Sequence, residues 1–140
     1  DHSKDFGFYT LLVGDSYDQV DKRQWIIMAS FTTNLPTNEQ ENLPVMNKGA
    51  LIPIDNFTGY NWYNASGVVL VQKRLSNVTP PVWEGQWKNA DHLYIPFQLI
   101  KAEGKYNGWI EISFSTIEEK LTIHTAAVSK EPGKPVLAGK

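Results

Sequence analysis

Apolar and polar positions alternate along most of the chain, and no stretch keeps the i, i+3, i+4 spacing of an amphipathic helix. The clearest run is 93–100, where Leu93, Ile95, Phe97 and Leu99 share one face of a strand. Pro96 has no N–H to give a ladder, so this strand is expected at a sheet edge or at a bulge. A turn at Ala102-Glu103-Gly104-Lys105 leads into 108–115, where period two places Ile110, Ile112 and Phe114 inward and Trp109, Glu111 and Ser113 outward. A second turn near Glu118 and Glu119 precedes 121–125, with Leu121 and Ile123 inward and His124 on the polar face. Short connections between the three runs predict an antiparallel meander.

The first half of the chain holds three further runs, 6–13, 25–32 and 68–73, each apolar on both faces as befits strands central to a sheet. Between the second and third lies 34–47, rich in Asn, Glu, Pro and Thr, which reads as a long surface loop with at most one helical turn near Glu39 to Asn42. A short strand at 50–54 then enters the Asn, Gly and aromatic stretch 55–67. Seven to nine short strands with regular turn signals predict one all-β domain over residues 1–140, a two-sheet antiparallel sandwich of jelly-roll-like form.

Composition narrows the class of protein. With 140 residues, 41% hydrophobic and 12% aromatic side chains and no Cys, the chain can bury a core but cannot form disulfides or thiolate metal sites. A net charge of −2 supplies no basic field for nucleic acid. No apolar run is long enough to predict a transmembrane span. There is no G-x-S-x-G elbow, P-loop or G-x-G-x-x-G. The three histidines show neither H-x-H nor H-E-x-x-H spacing, so no cofactor or metal is expected; His92, His124 and Asp91 would meet only through folding. Asp15, Asp18 and Asp21 lack the alternate-residue spacing of a calcium loop and read as a solvated acidic turn.

Two aromatic groups carry the candidate chemistry. Tyr60, Trp62 and Tyr63 stand among asparagines, and Trp83, Glu84 and Trp87 form a second loop-like group. Rings stack on the C–H faces of sugars while Asn, Gln and Glu hold hydroxyls, so these residues predict a surface for glycan or peptide. The ordinary role of such rings is to pin loops onto sheets. Trp109 joins the candidate surface through its outward parity, with Glu111 and His124 beside it. Glu84 sits between Trp83 and Trp87 and Glu111 follows Trp109, and a glycoside hydrolase would require such a pair to converge in one cleft.

The C-terminal third, with Tyr106-Asn107-Gly108-Trp109-Ile110-Glu111-Ile112, Lys120-Leu121-Thr122-Ile123-His124 and the tail Pro132-Gly133-Lys134-Pro135-Val136-Leu137-Ala138-Gly139, resembles extracytoplasmic β-domains of Bacteroidetes lipoproteins and exosortase-sorted bacterial proteins. Asn107 stands where an aromatic or His is frequent, and Val128 where an aromatic follows Ala. The resemblance implies a secreted or cell-surface location, with a lipid anchor outside this sequence, and implies no reaction. The expectation is therefore a non-catalytic module binding glycan or a cell-surface protein. The alternatives are an adhesion or assembly component and, third, a glycoside hydrolase-like enzyme.

Overall fold

The computed structural model describes residues 4–14 and 20–140. Asp15 and Asp18, expected from sequence in an acidic turn, lie outside them, and Asp21 of the same expected turn lies in a strand. Eleven strands and no helix are found among the described residues: β1 (Phe6–Val13), β2 (Val20–Ala29), β3 (Thr33–Thr37), β4 (Leu51–Ile52), β5 (Asn61–Asn64), β6 (Gly67–Ser76), β7 (Val82–Glu84), β8 (Leu93–Lys101), β9 (Gly104–Ser115), β10 (Lys120–Val128) and β11 (Val136–Leu137). They build a four-stranded sheet in the order β1-β2-β6-β7, a five-stranded sheet in the order β10-β9-β8-β3-β5, and a small two-stranded unit, β11-β4. Every pairing is antiparallel.

The two larger sheets enclose one core. Trp25 and Ile27 of β2 and Val68, Leu70 and Val71 of β6 meet Ile95, Phe97 and Leu99 of β8 and Ile110, Ile112 and Phe114 of β9. These are the inward rows that period two selects, except that adjacent Leu70 and Val71 both face inward at the register shift between β2 and β6, and each side chain so buried contributes about 1.5–3 kcal/mol. Trp83 of β7 stacks on Trp25 at 5.5 Å and meets Phe114 edge-on at 5.8 Å, which closes one end of the core.

Five local expectations change. Segment 34–47 is not all loop: β3 occupies its start, completely buried, pairing with β5 on one side and β8 on the other. Its turn is not helical; Asn38 Oδ1 accepts the backbone N–H groups of Gln40 and Asn42 and closes it. Nor is β8 an edge strand. Tyr94 N and Ile100 N both donate away from β9, to Met46 and Thr32, so by alternation Pro96 N faces the same way, where β3 pairs only with Gln98 and Leu99. The proline fills a gap in the ladder and costs no hydrogen bond. Finally, β1 is an edge, with Tyr9 and Leu11 exposed on the outer face of its sheet, and Ile123 on edge strand β10 is half exposed.

On the outer face of the five-stranded sheet, the β4–β11 unit forms a partial third layer. Met46, Ile52, Tyr94, Trp109 and Ala138 make a second buried cluster there, with Phe57 and Trp62 packed against it. No helix among the described residues is long and apolar enough to cross a membrane.

Candidate functional site

The aromatic residues singled out from sequence do not form one surface. Trp87 (2% exposed) and half-buried Trp83 belong to the central core. Trp109 does lie on the outward face of β9, yet it is only 7% exposed, because the tail covers it and its indole N–H reaches Lys140 O at 3.4 Å. Trp62 packs on Phe57 and donates its indole N–H to Asp55 O at 3.1 Å. Glu84 pairs with Arg74 at 3.5 Å. Trp83 beside it points into the core, so Glu84 and Glu111 project from opposite sheets of the sandwich. Tryptophan's large apolar area explains the dispersal: all four of these indoles pack against one or other apolar cluster.

Tyr60 and Tyr63 remain. Tyr63 is 50% exposed and stands between two clefts. One, of about 480 Å³, is lined by Tyr60, Asn61, Gln40 and the segment from Thr37 to Glu39. The other, of about 460 Å³, shares Tyr63 and the same segment and continues to Glu41, Ser66 and Gly67. The groove follows from topology, since edge strand β5 carries the tyrosine beside the Asn38-closed turn that leaves β3.

A second constellation lies where the β4–β11 cover ends. Along β9, Asn107 and Trp109 are covered, while Glu111 and Ser113 of the same face emerge. His92 Nδ1 lies 2.5 Å from Glu111 Oε2, and Tyr94 donates its hydroxyl to Glu111 Oε1 at 3.3 Å. Ser113 Oγ accepts the His92 backbone N–H at 2.9 Å and meets His124 Nε2 at 2.7 Å. The two imidazoles stack at 4.0 Å, 19° from parallel. The hydrogen bond from His92 holds the Glu111 carboxyl below its usual range despite partial burial, with Tyr94 acting in the same direction. Burial, with the Glu111 charge and hydrogen bond, pushes the Tyr94 hydroxyl up.

Backbone irregularities aim both rings. His92 adopts φ +50°, a left-handed conformation in which His is tolerated better than most residues. The β9–β10 register jumps from Ile123↔Ile112 to Thr125↔Glu111, which leaves His124 as the extra residue of a β-bulge. Parity in the sequence already put Glu111 and His124 on one face. The meeting with His92 was not legible, because it depends on these two departures from regular geometry. Asp91 approaches the other His92 ring nitrogen only to 3.8 Å and is 90% exposed, so Glu111 is the carboxylate the fold supplies.

No family model, curated protein or solved structure matches the chain.

Proposed function

We propose that the domain is a non-catalytic module that binds a carbohydrate chain in the groove divided by Tyr63. The observation that carries this reading is the exposed Tyr63 ring between two contiguous clefts walled by hydroxyl, amide and carboxylate side chains. A ring face offers stacking to a pyranose, and the surrounding polar groups match hydroxyls on either side. A groove that continues past the ring suits a polymer better than a single sugar. The C-terminal resemblance supports a place for this activity outside the cytoplasm, at the cell surface or in the secreted fraction. Tyr63→Ala is expected to abolish retention on a polysaccharide array while the domain stays folded. If the unaltered protein retains no glycan across the array, or Tyr63→Ala binds as well as it does, the reading fails.

A second reading, assembly with another chain, is favoured by one observation. The outer face of the four-stranded sheet exposes Tyr9, Leu11, Met28 and Val69, and β1 leaves one edge unpaired among the described residues. Apolar patches and open edges of this kind are where chains associate. Light scattering over a concentration series tests it, and a monomer at every concentration removes self-assembly.

A further inference from the structure

We infer that His92, Glu111 and His124 bind one divalent transition-metal ion of the zinc class on the solvent-facing end of β8, β9 and β10. Each residue presents one donor atom, and the three donors lie within 4.8 Å of one another. Bond lengths of about 2.0–2.1 Å to zinc put tetrahedral donors about 3.3 Å apart, so closing the set requires the two stacked imidazoles to rotate out of their parallel arrangement until their in-plane lone pairs converge. Two imidazoles and a carboxylate suit zinc-class ions and are poor ligands for calcium, which takes a shell of oxygens.

Three features distinguish this group from a chance surface cluster. Glu111 is only 15% exposed and is gripped by Tyr94, so one donor is oriented before any ion arrives. Ser113 joins the other two residues, touching the His92 backbone and the His124 ring. The stacked imidazoles are brought together by a left-handed residue and a bulge, two departures that regular strand geometry would avoid. The His92 side chain is 57% exposed, which leaves room for water to complete the coordination. An ion held here would tie the β9–β10 hairpin to the turn that starts β8. This inference is independent of the carbohydrate reading, whose groove is built from other residues.

Titration calorimetry of the full chain with Zn²⁺ is expected to show one saturable site per chain in the micromolar range. His124→Ala, Glu111→Gln and His92→Asn should each weaken it by about 100-fold or more, a ligand's loss exceeding the 10–100-fold of an outer contact. Asn is chosen at position 92 because it tolerates positive φ. His2→Ala controls for the remaining histidine and should bind as the unaltered protein does. If a variant unfolds, protection of two histidines from diethyl pyrocarbonate by Zn²⁺ in the unaltered chain supports the site. Absence of that protection, uptake only at millimolar Zn²⁺, or binding that survives combined His92→Asn and His124→Ala substitution overturns it.

Discussion

Gln98 Nε2 donates to Asn107 Oδ1 at 2.8 Å across the β8–β9 pair, with both side chains sealed from solvent. The bond is the middle of a relay. Asn34 Nδ2 donates to Gln98 Oε1 at 2.9 Å, and Asn107 Nδ2 donates to Ile52 O and Pro53 O at 3.0 and 2.8 Å. Three strands of the large sheet thus present amides in one row, and the last of them holds the backbone leading out of β4. Gln98 adds a second attachment at Ile54 O, 3.1 Å away. Asn107 and Gln98 together therefore fasten the third layer.

Asn107→Leu removes the donor from the Ile52 and Pro53 carbonyls and leaves Gln98 Nε2 with only one of its two acceptors. Stability should fall by about 2–4 kcal/mol, because unsatisfied buried polar groups cost about 1–3 kcal/mol each. Urea unfolding measures the loss. Hydrogen exchange should quicken at Ala138 N, which bonds to Ala50 O in the covering layer. Unchanged stability would mean that the relay is incidental to docking.

Strict alternation made the meander legible. Leu93, Ile95, Phe97, Ile110, Ile112 and Phe114 fall inward as their parity requires, because both strands are long and one face is wholly apolar. Strand β3 was not legible, since Thr33, Asn34, Pro36 and Thr37 look like loop residues, and only pairing with distant β5 and β8 accounts for their burial. Trp109 shows the limit of parity. Its face can be read locally, whereas its cover comes from Ile52 and Ala138, each far along the chain. For the candidate sites, sequence named Tyr60, Tyr63 and Glu111 but also four tryptophans that packing claims, since composition does not separate a binding ring from a pinning one.

Gly49 and Gly85 separate two costs of replacing glycine. Both have positive φ, +88° and +110°, but a Cβ on Gly49 would meet nothing within 4 Å, while one on Gly85 would lie 3.1 Å from Val71 Cα and closer still to Leu70 O. Gly49→Ala should cost about 1–2 kcal/mol, the backbone term alone. Gly85→Ala adds a clash with the neighbouring strand that no side chain can relieve, so a loss of about 3 kcal/mol or more is expected. Paired urea melts decide it, and equal losses would contradict the close approach of Gly85 to β6.

Adjacent Trp62 and Tyr63 should respond in opposite ways to truncation. Trp62→Ala opens the second cluster beside Phe57 and should lower stability by about 1–3 kcal/mol, less than for a fully buried ring. Tyr63→Ala removes a ring that is half in solvent and should change stability by no more than about 0.5 kcal/mol. Thermal melts of the two variants side by side provide the comparison. A large loss for Tyr63→Ala would make that ring structural.

Glu119 links the two sheets, and its ionisation should set part of the acid response. It sits at the β9–β10 turn and pairs with Lys73 of β6 and, at 3.5 Å, with Arg23 of β2. The hydrogen bond from Lys73 depresses its carboxyl below the ordinary value of 4.5, against an opposing effect of burial and with help from the Lys73 and Arg23 charges. A carboxyl whose pKa is lower folded than unfolded stabilises the fold fully above the unfolded value, and that contribution is lost as pH falls through the folded one. Glu119→Gln should therefore melt below the unaltered protein at about pH 7, with the gap closing as the pH falls below the ordinary carboxyl value and through the lower folded one. Added salt should narrow the gap only modestly at neutral pH, because the Lys73 side chain is 19% exposed and Glu119 29%. A gap that stayed constant as the carboxyl was protonated in acid would show that Glu119 acts through its shape at the turn, with no contribution from its charge.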